Sequence, residues 1–132
     1  LCGEIGYSLP HVEEEVKREN TGWLERKISN ATLCEKFENY RINYVLDEEA
    51  KTYIADTICP YIANLVNTLD LDLVVIGGQL ILDGGTELLT AIQDKLDRLT
   101  LSQVTVEACK TDFPGIVGMA MIASDHMYKT IL

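Results

Sequence analysis

The stretch Leu71–Gly78, Leu-Asp-Leu-Val-Val-Ile-Gly-Gly, constrains the fold of this chain more than any other. It is the most apolar run, it is rich in β-branched residues, and a glycine pair cuts it off. A segment with helical spacing of apolar residues precedes it and another follows. A short apolar run between two helices reads as a buried parallel strand in an α/β domain. Ligands of open α/β sheets sit outside the carboxyl ends of the strands, so the Gly77-Gly78 turn is where a ligand could approach the backbone. The same pair also reads as a plain strand-to-helix turn. No GxGxxG and no Walker lysine follow it, so dinucleotide and P-loop readings fail on the residues.

The flanking segments can be read from their spacing. Asp47 is placed to cap a helix running to about Leu69, with Glu48 and Glu49 in the first turn where the helix dipole favours them. Ala50, Tyr53, Ile54, Ile58, Tyr61, Ile62, Leu65, Val66 and Leu69 form its apolar face. Pro60 inside this pattern is expected to kink or divide the helix. Residues 79–85 read as a loop, with at most one short turn. Thr86 to about Leu99 reads as an amphipathic helix with Leu88, Leu89, Ile92, Leu96 and Leu99 inward. Val104, Val106 and Ala108 alternate with Thr105, Glu107 and Cys109, giving a second strand nearer a sheet edge.

Upstream, residues 1–10 read as a turn and a short extended piece. Glu13-Glu14-Glu15 reads as a solvated acidic face. A helix is expected from about Thr21 or Gly22 with Trp23, Leu24, Lys27 and Ile28 at helical spacing. Ser29-Asn30 breaks it, and a second short helix spans Thr32–Phe37. At the other end, Pro114 sits near the start of a last helix, about Ile116–Lys129, whose small residues and methionines suit close packing on a sheet. Two strands alone make a poor sheet, so further strands are expected upstream or from a partner chain. The chain opens at Leu1 inside a glycine-rich motif, and we expect residues 1–132 to be a single fragment.

Charge and cysteines narrow the function class. With 21 acidic and 11 basic residues the formal net charge is −10. Such a surface repels nucleic-acid phosphates, so DNA contact would need a separate basic segment. The four cysteines (Cys2, Cys34, Cys59, Cys109) are scattered without a CxxC pair, which suits reduced, mostly buried thiols of a cytoplasmic protein. No run is long and apolar enough to suggest a membrane span, and no signal peptide is evident. His11 and His126 stand alone, without a second metal-ligand residue nearby. Glu4, between glycines in Gly3-Glu4-Ile5-Gly6, and Glu25, in a first helical turn, are carboxylates able to accept hydrogen bonds from sugar hydroxyls. They read equally as two surface acids.

Four short motifs occur in order along the whole chain: Gly3-Glu4-Ile5-Gly6-Tyr7, Gly22-Trp23-Leu24-Glu25, Leu73-Val74-Val75-Ile76-Gly77-Gly78 and Gly115-Ile116-Val117-Gly118-Met119-Ala120. Together they resemble the ROK family of bacterial sugar-responsive repressors and sugar kinases, whose usual forms are GEIGH, a zinc motif ending GCLE, a strand ending in GG, and a last helix opening GLLGAA. The resemblance implies an α/β fold, the C-terminal portion of an actin-like (ribonuclease H-like) ATPase fold, helix-rich with two strands. The N-terminal lobe and any helix-turn-helix would lie outside this chain.

Carried over by motif, the resemblance implies substrate binding by Glu4, Tyr7 and Glu25, where Tyr7 stands in place of the family's histidine. It implies that Gly77 and Gly78 flank a nucleotide's adenosine in the kinases. The zinc motif CxCGxxGC falls on Val16, Arg18 and Trp23, with Tyr7 at the histidine ligand, so no metal site is expected; Trp23 is expected to plug the segment instead. The resulting expectation is a sugar-binding region of a transcriptional regulator, with no catalytic residue and no cofactor of its own. A sugar kinase is the alternative, and only there would ATP bind. The expected partners are a small sugar, DNA only through a segment outside this chain, no membrane, and a second copy in a homodimer.

Overall fold

A computed structural model describes residues 22–111 and 114–131; of Pro114, Gly115 and residues 125–131 it gives the backbone alone. The order of elements is α1 (Trp23–Ile28), α2 (Asn30–Lys36), α3 (Glu38–Asn43), α4 (Glu48–Leu69), β1 (Leu73–Ile76), α5 (Gln79–Leu99), β2 (Thr105–Ala108) and α6 (Pro114–Ile131). The class is α/β, and β1 and β2 pair in parallel with Leu73 opposite Thr105 and Ile76 opposite Ala108.

Three short helices precede the long ones, and their ends follow from local chemistry. Ser29 has an extended backbone that closes α1 and opens α2, and its hydroxyl accepts from the Thr32 N–H at 3.3 Å. The helix expected from Thr32 therefore begins two residues earlier, because the serine read as a breaker is also a cap. Helix α3, which the apolar spacing did not suggest, ends at Tyr44 in the left-handed region (φ 55°), its N–H on the Tyr40 carbonyl at 2.9 Å.

Asp47 caps α4 as expected, accepting from the Ala50 N–H at 2.9 Å. Helix α4 then runs undivided through Pro60. The missing N–H would have bonded the Asp56 carbonyl, and both residues face solvent, where water can satisfy that carbonyl. The buried stripe is narrower than its apolar spacing implied. Ala50, Ile54, Ala55, Cys59, Ala63 and Val66 are buried, whereas Leu65 and Leu69 are exposed. Burial pushes the Cys59 thiol up to about 12, so this group behaves as a small hydrophobe.

The core lies between α4 and α5, where Leu88, Ile92 and Leu96 meet the α4 stripe and Val104. Leu99, expected inward, is 41% exposed in the last turn of α5. The segment 79–85 is also not a loop. Helix α5 begins at Gln79, with the Ile81 and Leu82 amides on the Gly78 carbonyl, and the buried Ile81 anchors this first turn. Gly85 leaves helical geometry altogether (φ 57°, ψ −154°), so two helices meet at a kink there, a short one over 79–84 and the helix expected from Thr86 to about Leu99.

Strand β1 is parallel but not buried on both sides. Val74 and Ile76 pack on the core, while Leu73 and Val75 are 49% and 55% exposed. Among the described residues nothing covers that second face. Helix α6 does not close onto it as its small residues suggested, since Ile116, Met119, Met121 and Ile122 are all exposed. No helix of the described residues is long and apolar enough to cross a membrane.

Candidate functional site

The carboxyl end of β1 is the best-defined candidate site, and it is built from its two glycines. A Cβ at Gly77 would lie 3.1 Å from the Cys109 Cβ, tighter than ordinary packing. Gly78 has φ +102°, a conformation that side chains rarely adopt, and a Cβ there would meet nothing within 4 Å. Gly77 is thus favoured by packing and Gly78 by backbone shape, with open space over Gly78. The turn lies at the end of β1 and leads directly into α5.

The helical turn that follows is held from outside. The Asp83 carboxylate accepts from Gln79 Nε2 at 2.6 Å and lies 3.1 Å from the Tyr40 hydroxyl. Tyr40 is only 1% exposed, and its hydroxyl also lies 3.2 Å from the Asn30 Oδ1. One hydroxyl proton serves two acceptors here, so it is shared or alternates between them. Burial, followed by the Asp83 hydrogen bond and charge, pushes the Tyr40 phenol up to about 12, and it remains a donor across the physiological range. Asn30 opens α2 and Gln79 immediately follows Gly78. This chain of polar groups therefore links the turn to the α1–α3 arm.

Beyond the Gly85 bend a second tie holds α5 to α4. The ammonium of Lys51, whose stem is buried, bonds Glu48 at 2.9 Å and also Glu87. These bonds raise the Lys51 pKa, and the same Lys51 contact lowers that of Glu87. The bend is fixed on both sides, by Asp83 before it and Glu87 after it.

The sheet's two edges differ. The Gln93 side-chain amide sits along the outer edge of β2, its Nε2 donating to the Val104 carbonyl and its Oε1 accepting from the Val106 N–H, each at 2.8 Å. A single glutamine thus satisfies the groups that a neighbouring strand would otherwise pair. Among the described residues β1 pairs with β2 alone, and its other edge has no strand.

Of the expected site residues, Gly77 and Gly78 form the turn just described. Glu25 lies in the first turn of α1 with its side chain exposed. Glu4 and Tyr7 lie outside the described residues, as do Val16, Arg18 and His11, and the structure gives no side chain for His126. Trp23 is half-buried and tilted against Tyr61 with centroids 6.1 Å apart, and the segment it was expected to plug lies outside the described residues. Among the described residues no group of three metal-ligating side chains converges. The Tyr40–Asp83 link and the Gln93 clasp were not legible, because each joins residues far apart in sequence and neither follows a period.

A protein-family model described as the ROK family matches residues 3–126. No curated protein and no solved structure matches the chain.

Proposed function

The chain belongs to the ROK family, and from that membership we propose that it is the effector-binding C-terminal portion of a ROK-type transcriptional regulator of carbohydrate metabolism. The family match over residues 3–126 carries this reading, because it takes in both carboxylate motifs and the β1 turn. The family implies an actin-like fold. On this reading the two strands belong to the sheet of its second lobe, and the open edge of β1 is where the remaining strands pair. A small sugar is held by Glu4, Tyr7 and Glu25, whose carboxylates accept hydrogen bonds from its hydroxyls. The net charge of −10 is consistent with leaving DNA contact to a segment outside this chain. A homodimer in the cytoplasm completes the proposal, and sugar binding shifts that dimer between DNA-bound and free states.

A sugar kinase of the same family is the second reading, and one observation favours it. Gly78 keeps a conformation suited to glycine, with open space above it, at the place where the family's kinases flank adenosine. In that case Glu4 and Glu25 orient a hexose, and the phosphate-handling residues come from outside this chain. The two readings separate in one experiment on the full-length protein: DNA binding released by a sugar supports the regulator. ATP-dependent phosphorylation of glucose or a related sugar, without DNA binding, overturns it.

A further inference from the structure

A groove of about 680 Å³ runs between α1, α2 and α4, away from the β1 turn, and Glu25 is not among its lining residues. Its walls carry three half-buried aromatic rings, Trp23, Tyr53 and Tyr61, and two lysines. The Lys27 ammonium lies 5.3 Å from the centre of the Trp23 ring, and the Lys36 ammonium lies 5.1 Å from that of Tyr53. Among the described residues that line it, the one acid, Asp56, is ion-paired with Lys95.

This arrangement is unusual for so acidic a chain. Lys51, Lys95 and Lys110 each pair with a carboxylate. Lys27 and Lys36 instead rest on aromatic faces in one groove, although acidic residues outnumber basic ones 21 to 11. Cation–π contacts at exposed sites are weak, so either ammonium can turn toward a stronger anionic partner. With Asp56 neutralised, the described lining of the groove is left with the positive charges of Lys27 and Lys36. Its volume falls within the range of small-molecule sites, roughly 300–1,000 Å³.

We propose that this groove binds a small phosphate-bearing ring compound, with Lys27 and Lys36 holding the phosphate and the Trp23, Tyr53 and Tyr61 rings stacking on the ring body. A phosphate supplies the charge that two free ammoniums need. A flat or puckered ring supplies the face that the aromatic walls need. The ring is either a sugar or a nucleobase with its ribose, and both present the same chemistry to this groove. Among the described residues, Glu25 does not line this groove.

Trp23 is the only tryptophan of the chain, so its fluorescence reports on this groove directly. The full-length protein, with any tryptophan outside this chain replaced by phenylalanine, is titrated with a hexose 6-phosphate, a nucleoside monophosphate, the free hexose and inorganic phosphate. We expect saturation by at least one of the two phosphorylated rings, about tenfold or more tighter than by hexose or phosphate alone. Which of the two saturates identifies the ring. Lys27→Gln/Lys36→Gln weakens that affinity about tenfold or more, while Lys27→Arg/Lys36→Arg retains it. Absence of saturation with both phosphorylated rings overturns the proposal, as does unchanged affinity in the glutamine double variant.

Discussion

Gly77 and Cys109 are packed so closely that a methyl group on Gly77 would sit 3.1 Å from the Cys109 Cβ. The contact forms because the Cys109 N–H donates to the Ile76 carbonyl at 2.8 Å, carrying the β-ladder one residue past β2. Gly77→Ala is therefore expected to cost about 1 kcal/mol through crowding, and Cys109→Gly should relieve part of it. Gly78→Ala meets no crowding but forces a side chain into φ +102°, at about 1–3 kcal/mol, and no neighbouring substitution should rescue it. Urea unfolding of the two variants, each with and without Cys109→Gly, checks the distinction.

The bend in α5 makes a second pair of expectations. A Cβ at Gly84 would lie 2.6 Å from both Cβ and Cδ2 of Leu88, inside the core, whereas at Gly85 it would meet nothing within 4 Å. Gly84→Ala should cost about 1–3 kcal/mol by overpacking, and Gly84→Ala/Leu88→Ala should show a favourable coupling between the two sites. The outcome for Gly85→Ala is set by φ +57° alone and should not respond to Leu88.

Tyr40→Phe removes the hydroxyl that serves Asp83 and Asn30, and should cost about 1–2 kcal/mol. The same hydroxyl can be seen directly. With its pKa near 12, Tyr40 should stay protonated at a pH where exposed tyrosines have ionised. Ultraviolet titration of the native chain and of Tyr40→Phe should therefore agree up to about pH 11, where Tyr40 begins to ionise.

The Lys51–Glu87 tie gives a pH dependence with a definite sign. Glu87 is lowered below its ordinary value of 4.5 by Lys51, so its stabilising effect is present above that value. It fades as pH falls through the lowered folded-state value. Lys51 is raised above 10.5, so its share is present below that pH and is lost as pH rises through the raised value. Glu87→Gln should lower Tm at pH 7, and the difference from the native chain should close as the pH drops into the acid range.

How much of this was legible depended on whether a residue's role is local. The strand Leu73–Ile76, the Asp47 cap and the apolar face of α5 follow from period and capping, and they stand where the sequence placed them. The break at Gly84-Gly85 and the helix from Thr86 stand as read, whereas residues 79–84 form a short helix where a loop was expected, because the buried Ile81 anchors that turn on the core. Leu65, Leu69 and Leu99 carry an apolar period past the reach of the partner helix. Lys27 over Trp23 is a four-residue helical spacing and could have been found. Lys36 over Tyr53 joins two helices and could not.

Gln93 makes the sheet-edge expectation testable. Gln93→Leu keeps the bulk but leaves the Val104 carbonyl and the Val106 N–H without their partners. A loss of about 1–3 kcal/mol is expected, together with self-association through the newly opened β2 edge. Sedimentation of native and variant chains at matched concentration measures the second effect.

The central claim is that this chain holds a sugar through Glu4 and Glu25. Calorimetric titration of the full-length protein with a panel of hexoses, repeated for Glu4→Gln and Glu25→Gln, tests it most directly. Hydrogen bonds to a charged carboxylate contribute about 1.5–3 kcal/mol, so each variant should weaken the best-bound sugar by about tenfold or more while its melting curve is unchanged. Full affinity in both variants, or no heat with any hexose, would contradict the account.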